Sequence, residues 1–158
     1  MTGARIEIDA QTGAAVAALR QMAALLGSEG QPQMLGRIGE YVVRSTRDRA
    51  ALQMAPDGTP WDALTPRYQR RKDKMRPGLP LLKFDNHMLG DQLAWQIDGN
   101  SVLVGTNAPY GARQQFGGGG IVARPWLGLS DQDDEGIAQR VVAFLVTSLQ
   151  GGIISAPL

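Results

Sequence analysis

The stretch from Val102 to Ser130, VLVGTNAPYGARQQFGGGGIVARPWLGLS, constrains the fold more than any other, because strand, turn, helix and loop signals follow one another within it. Val102, Leu103 and Val104 are apolar, strand-favouring residues, and Gly105 to Pro109 carries the turn chemistry that ends a strand. Tyr110 to Phe116 has room for a short helix. Gly117, Gly118, Gly119 and Gly120 have no side chain to pack and much conformational entropy to lose, which predicts a mobile, exposed loop. Pro125 fixes one φ angle and biases Arg124 toward an extended backbone, leading into Trp126, Leu127 and Leu129 as strand positions. The expectation is a floppy loop between rigid anchors, with Val102 to Val104 and Trp126 to Leu129 as neighbouring parts of a sheet core.

A chain of 158 residues suits one hydrophobic core better than two, so residues 1–150 are read as a single domain and 151–158 as a flexible C-terminal tail. The formal net charge of +1 gives no strong global attraction to nucleic acid or to a membrane, and partners must be sought locally. The absence of cysteine excludes disulfides, thiolate metal sites and cysteine nucleophiles. Met1 to Asp9 lacks the basic start and apolar centre of a secretory signal, and no apolar run is long enough to span a bilayer. A soluble cytoplasmic product is expected.

Arg5 to Asp9 alternates polar with apolar, the period of a strand with one buried face. Thr12 can cap a first helix carrying Val16, Leu19, Ala23 and Leu26, stopped at Gly27. After a linker from Ser28 to Gln33, a second helix begins near Pro32 or Gln33, with Leu35, Ile38, Val42 and Leu52 on its apolar face. Ala55 to Leu64 is a turn-rich connection in which Trp61 supplies an anchor. Thr65-Pro66 reads as N-cap and first helical residue of a basic segment, ended by Pro77-Gly78. Asn86 to Leu93 can form a short helix. Asp98-Gly99-Asn100 is a hairpin signal between strands at Ala94 to Ile97 and Val102 to Val104. Ser130 is a good N-cap for a last helix, with Asp131, Asp133, Asp134 and Glu135 at the positive end of its dipole. Ile137, Val141, Phe144, Leu145 and Leu149 line its apolar face until Gly151-Gly152. This order predicts an α+β fold: a small antiparallel or mixed sheet packed against two N-terminal helices and one C-terminal helix.

Catalytic chemistry finds no support. His87 is the single histidine and has no partner set for a metal, and the acidic run from Asp131 lacks the spacing of a calcium loop. The glycines carry no lysine-serine pair to cradle phosphate, and no serine lies in a nucleophile-elbow pattern. No catalytic, cofactor or metal residue is assigned, and the chain is read as a non-enzyme. The basic segment, with Arg67, Arg70, Arg71, Lys72, Lys74 and Arg76 around Tyr68, is the strongest electrostatic feature. It stays open between a solvated helix face, an interface to acidic groups on a neighbouring subunit, and contact with DNA.

Three stretches together resemble the phage virion morphogenesis family, the tail-completion proteins of Mu-like phages. Pro56-Asp57-Gly58 with Pro60-Trp61, Leu64 and Tyr68 is similar to that family's glycine-proline-tryptophan loop and basic segment. Val104-Gly105-Thr106-Asn107 with Tyr110 and Gln115-Phe116-Gly117-Gly118 is similar to its strand, short helix and "QFGG" loop. Ala123 to Ser130 is similar to its "ARPFLGLS" element, with Trp126 in place of phenylalanine. The loop departs from the family at Gly119-Gly120, where it is shorter and richer in glycine.

The resemblance implies a fold like that of phage neck and tail-terminator proteins. It also implies a non-enzymatic role in tail completion and stable head-to-tail joining, and a ring of identical copies, often hexameric. The implied partners are the tail tube or tail terminator and the head connector. The implied locations are the host cytoplasm during assembly and the tail or neck of the virion. On this reading Arg67, Arg70, Arg71, Lys72, Gln115, Phe116, Gly117, Gly118, Gly119, Gly120 and Arg124 are candidates for a subunit or partner interface, and Trp61, Tyr110 and Trp126 are structural anchors. Rival expectations are a DNA-binding module using residues 67–76 and an assembly chaperone absent from the finished particle.

Overall fold

Alternation at the start of the chain produces β1 (Arg5–Ile8). It is followed by α1 (Gly27–Ala51), α2 (Pro66–Met75), one π-helical turn (His87–Asp91), β2 (Leu93–Asp98), β3 (Ser101–Thr106), α3 (Gly111–Phe116) and α4 (Asp131–Ile154). The computed structural model describes residues 5–8, 27–83 and 87–154, and the helix expected over residues 12–26 lies outside them.

The strands form an antiparallel sheet in the order β1-β3-β2. The hairpin signal is realised as a two-residue turn: Asp98 pairs with Ser101, and Gly99 takes φ +58°, which a side chain would resist. β3 is the central strand, flanked on both edges, and Val102, Leu103 and Val104 are all buried.

Helix α1 lies across the sheet, burying Met34, Leu35, Ile38, Val42 and Val43, and α4 packs against α1. The fold class is the α+β expected. Close approach of α1 to β2 depends on a missing side chain, because a Cβ at Gly39 would come within 2.7 Å of the Trp95 ring. Val141, Phe144 and Leu145 of α4 enter the same core as the strands. Burial of such side chains contributes roughly 1.5 to 3 kcal/mol each before chain entropy is subtracted.

One polar cluster locks α4 onto α1. Ser130 caps α4 as its position predicted, and the cap is reciprocal: Asp133 N–H donates to the Ser130 hydroxyl oxygen at 3.2 Å, and Ser130 N–H donates to Asp133 Oδ2 at 2.8 Å. Ser45 and Arg49, one turn apart on α1, both donate to the same carboxylate. Arg49 also donates to the Gly128 carbonyl at 2.6 Å, so the connection into α4 is held with the helix. Asp133 is 1 % exposed. Burial alone would raise its carboxyl pKa. The hydrogen bonds from Ser45 and Ser130 and the charge of Arg49 outweigh burial and hold it below the usual aspartate value.

Local expectations fail at four places. Helix α1 starts at Gly27, not near Pro32, and runs through the stretch read as a linker. Pro32 is exposed, so the carbonyl its ring leaves unpaired can be hydrated. Leu52 is not on the buried face: it follows the last helical residue and is 69 % exposed. Trp126 to Leu129 forms no strand, although Trp126 and Leu127 are buried, because side chains rather than a strand ladder take up their backbone groups. Helix α4 continues through Gly151-Gly152 to Ile154. Glycine disfavours a helix by only about 1 kcal/mol and does not by itself end one.

Removing one partner of the buried Arg49–Asp133 pair strands the other. Asp133→Asn is expected to lower unfolding free energy by about 3 kcal/mol, read by chemical denaturation. The carboxyl has a depressed pKa in the folded state. Its stabilisation is therefore complete above the unfolded-state value and is lost as pH falls through the lower folded-state value. The variant should accordingly flatten the acid limb of stability against pH. An unchanged acid limb would show that the carboxylate contributes nothing to the fold.

Candidate functional site

The basic segment and the glycine turn, separated by about forty residues in sequence, line one groove of about 460 Å³. One wall is Ala63 to Thr65 with Tyr68 and Lys72 of α2, and the other is Gly120 to Val122. Met88, buried, and Leu82 lie between them, with His87, Tyr110 and Gln114 completing the lining.

Helix α2 presents its residues to the groove by helical spacing. Tyr68 and Lys72, four apart, share the inner face, whereas Arg67, Arg71 and Lys74 share an outer flank. Lys72 is not a surface cation: it is 4 % exposed, and its ammonium donates to the carbonyls of Leu79 and, at 2.7 Å, Pro80. Burial pushes its pKa below the usual lysine value, with Asp73 opposing. The lysine thus ties the chain after α2 back onto the helix. Leu82, on this returning chain, holds φ +58°, a left-handed conformation costing a non-glycine residue roughly 1 to 2 kcal/mol. Arg67, Arg70, Arg71 and Lys74 remain exposed.

Arg124 is likewise turned inward. It is 5 % exposed, and its guanidinium donates to the carbonyls of Asp62 at 2.8 Å, Ala63 at 3.0 Å and Val122 at 3.3 Å. Carbonyl dipoles take the place of a carboxylate, and the two walls of the groove are bonded to each other through one side chain. Trp61, the buried anchor of the connection, adds a second bond across them from its Nε1 to the Pro125 carbonyl at 2.7 Å.

Gln115 behaves as an edge of sheet. Its Oε1 accepts the N–H groups of Trp126 and Leu127, both at 2.9 Å, and its Nε2 donates to the Leu127 carbonyl at 2.9 Å. Trp126 itself is 1 % exposed and donates from Nε1 to the Gly111 carbonyl at 3.1 Å. It is the deepest of the expected anchors, whereas Tyr110 is 42 % exposed at the groove. Phe116, at the end of α3, stands 75 % exposed.

The glycines do more than supply freedom. Gly118 and Ile121 exchange backbone hydrogen bonds of 3.0 and 3.1 Å, and Gly119 and Gly120 between them take φ +61° and +82°. Two adjacent positive φ angles are what a type I′ turn requires, so the glycine loop, exposed as expected, closes through a hairpin turn. His87 is exposed, with Nδ1 lying 3.1 Å from an oxygen of Asp91 one turn on. The candidates therefore divide. Arg67, Arg70, Arg71, Phe116 and Gly118 to Gly120 stand at the surface, Gly117 is half-buried at the root of the turn, and Lys72, Gln115 and Arg124 spend their polar atoms inside the molecule.

A model of the phage virion morphogenesis family matches residues 11–146. The chain belongs to that family. It is also 32% identical over 115 residues, 65% of this chain and 82% of the relative, to a Haemophilus influenzae protein described as Mu-like prophage FluMu G protein 2. No solved structure matches the chain. As a member of the virion morphogenesis family, the protein has a structural role in building the phage particle. The family match takes in both walls of the groove and the Asp133 cap. Among the described residues, no helix is long and apolar enough to cross a membrane.

Gln115→Ala leaves two N–H groups and one carbonyl without their partner and is expected to cost about 1 to 3 kcal/mol. The loss should be local. Amide exchange at Trp126 and Leu127 should accelerate well before exchange in β3, and equal protection in the variant and the parent would contradict the edge-like role.

Proposed function

We propose that this virion morphogenesis protein acts late in assembly, at completion of the tail and its stable joining to the head, as a ring of identical copies on the tail end. The observation that carries the reading is the family match over residues 11–146, supported by likeness to a protein of a Mu-like prophage. The architecture suits the task in two respects. A groove with preset walls offers a surface for a partner, and exposed cations on α2 beside it offer charge for recognition. Contacts of one face with a different face of the next copy close into a ring when the rotation between copies closes. The partners on this reading are further copies of the chain, the tail tube or tail terminator, and the head connector.

The test is removal of the gene from the phage or prophage that carries it, followed by electron microscopy of the lysate. Filled heads and separate, unjoined tails are expected, with joining restored by adding the purified protein. Normal joined particles in the absence of the protein would overturn the proposal. Joined particles that form only in its presence yet do not contain it would point instead to an assembly chaperone.

A further inference from the structure

We infer that the groove between α2 and the glycine turn receives the acidic end of α4 from a second copy of the chain. The inference rests on the ring reading and supplies its contact surface.

The receiving side is apolar within, and the outer flank of the helix that forms one wall is cationic. Tyr68, Tyr110 and Val122 are 47 %, 42 % and 47 % exposed around the groove, a concentration of aromatic and aliphatic surface suited to an interface. Arg67, Arg71 and Lys74 run along the outer flank of α2 at helical spacing, and none of them has an ion pair with a described residue. Arginine at a rim favours carboxylates, which it can engage with two parallel hydrogen bonds.

The same chain carries the complementary end. Asp131, Asp134 and Glu135 in the first turns of α4 are exposed, and none has an ion pair with a described residue. Asp133, the acidic residue between them, is consumed by Ser45, Ser130 and Arg49, and this holds the turn rigid with its neighbours facing out. That clamp also brings the C-terminal turn of α1 alongside, where Leu52, one turn beyond Arg49, stands 69 % exposed. Three exposed carboxylates, with an exposed leucine at the end of the helix clamped to them, complement an apolar groove whose helix carries three cations. The two surfaces are built from different elements, so their contact is of the head-to-tail kind.

Charge reversal tests the contact, because every residue changed is exposed. One variant carries Arg67→Glu with Arg71→Glu, the other Asp131→Lys with Asp134→Lys, and self-association is measured by sedimentation velocity at low and moderate salt. Each variant alone should associate at least about tenfold more weakly than the parent, and a mixture of the two should recover association through one restored kind of contact. Added salt should weaken the parent. The cysteine-free chain allows an independent check: Val122→Cys in one copy and Leu52→Cys in another should form a disulfide-linked pair on mixing. Variants that associate like the parent, or a mixture with no recovery, would overturn this contact while leaving the tail-completion reading to the deletion experiment. A deletion that leaves particles normal would overturn that reading even if the copies associate as described here.

Discussion

The carboxylate of Asp133 is the point on which the arrangement of helices turns. It closes the N-terminus of α4, accepts from two residues of α1, and through Arg49 fixes the Gly128 carbonyl in the segment that crosses from the glycine turn to α4. A buried ion pair is weak support for a fold when it stands alone, because desolvation offsets attraction. This one does not stand alone, since the serine hydroxyls and a backbone N–H share the carboxylate. Its consequence is geometric: α4 is held at one height along α1, and Val141, Phe144 and Leu145 enter the core at defined positions.

The groove has a similar logic with carbonyls in place of a carboxylate. Lys72 and Arg124 are charges that a folding chain would ordinarily leave in water. Here each lies against main-chain carbonyls: Lys72 ties the chain after α2 back onto the helix, and Arg124 joins two irregular segments far apart in sequence. Irregular chain makes one wall and part of the other, where Tyr68 and Lys72 of α2 complete it, so these internal donors shape the groove along with the helix. The left-handed Leu82 sits where the Lys72 tie ends, a strained residue held by its surroundings.

What could be read from sequence was local. The hairpin at Gly99-Asn100, the proline-started α2, the Ser130 cap and the apolar stripe of α4 each follow from signals spanning a few residues, and each is present. The clamps were not legible, because nothing near Gln115 in sequence marks it as the partner of Trp126 and Leu127, and charge alone does not distinguish Lys72 from the basic residues around it. Helical spacing from Tyr68 was the available signal, since a residue four from an aromatic shares its face. Helix-end electrostatics accounts for the acidic run after Ser130 as a whole and does not single out Asp133. Its position three residues after the cap serine is the mark of the reciprocal cap. Entropy is only half of the account of the glycines: the freedom that makes glycine costly to order is also what permits the two positive φ angles of the turn.

The near-neutral net charge conceals an uneven distribution of charge over the surface. A total of +1 averages a cationic flank on α2 with an anionic end on α4, and the average describes neither surface. Folding sharpens the separation by withdrawing particular charges from each. Lys72 and Arg124 leave the basic side, and Asp133 with Arg49 leaves the acidic end, so the charges that remain outside stand on rigid elements. Exposed charges on mobile side chains contribute little to affinity, but placed on fixed helices they bias the orientation and rate of an approach. The same internal ties that hold the domain together therefore determine the polarity of its surface. Changing one of them would alter the pattern of surface charge as well as the stability of the fold.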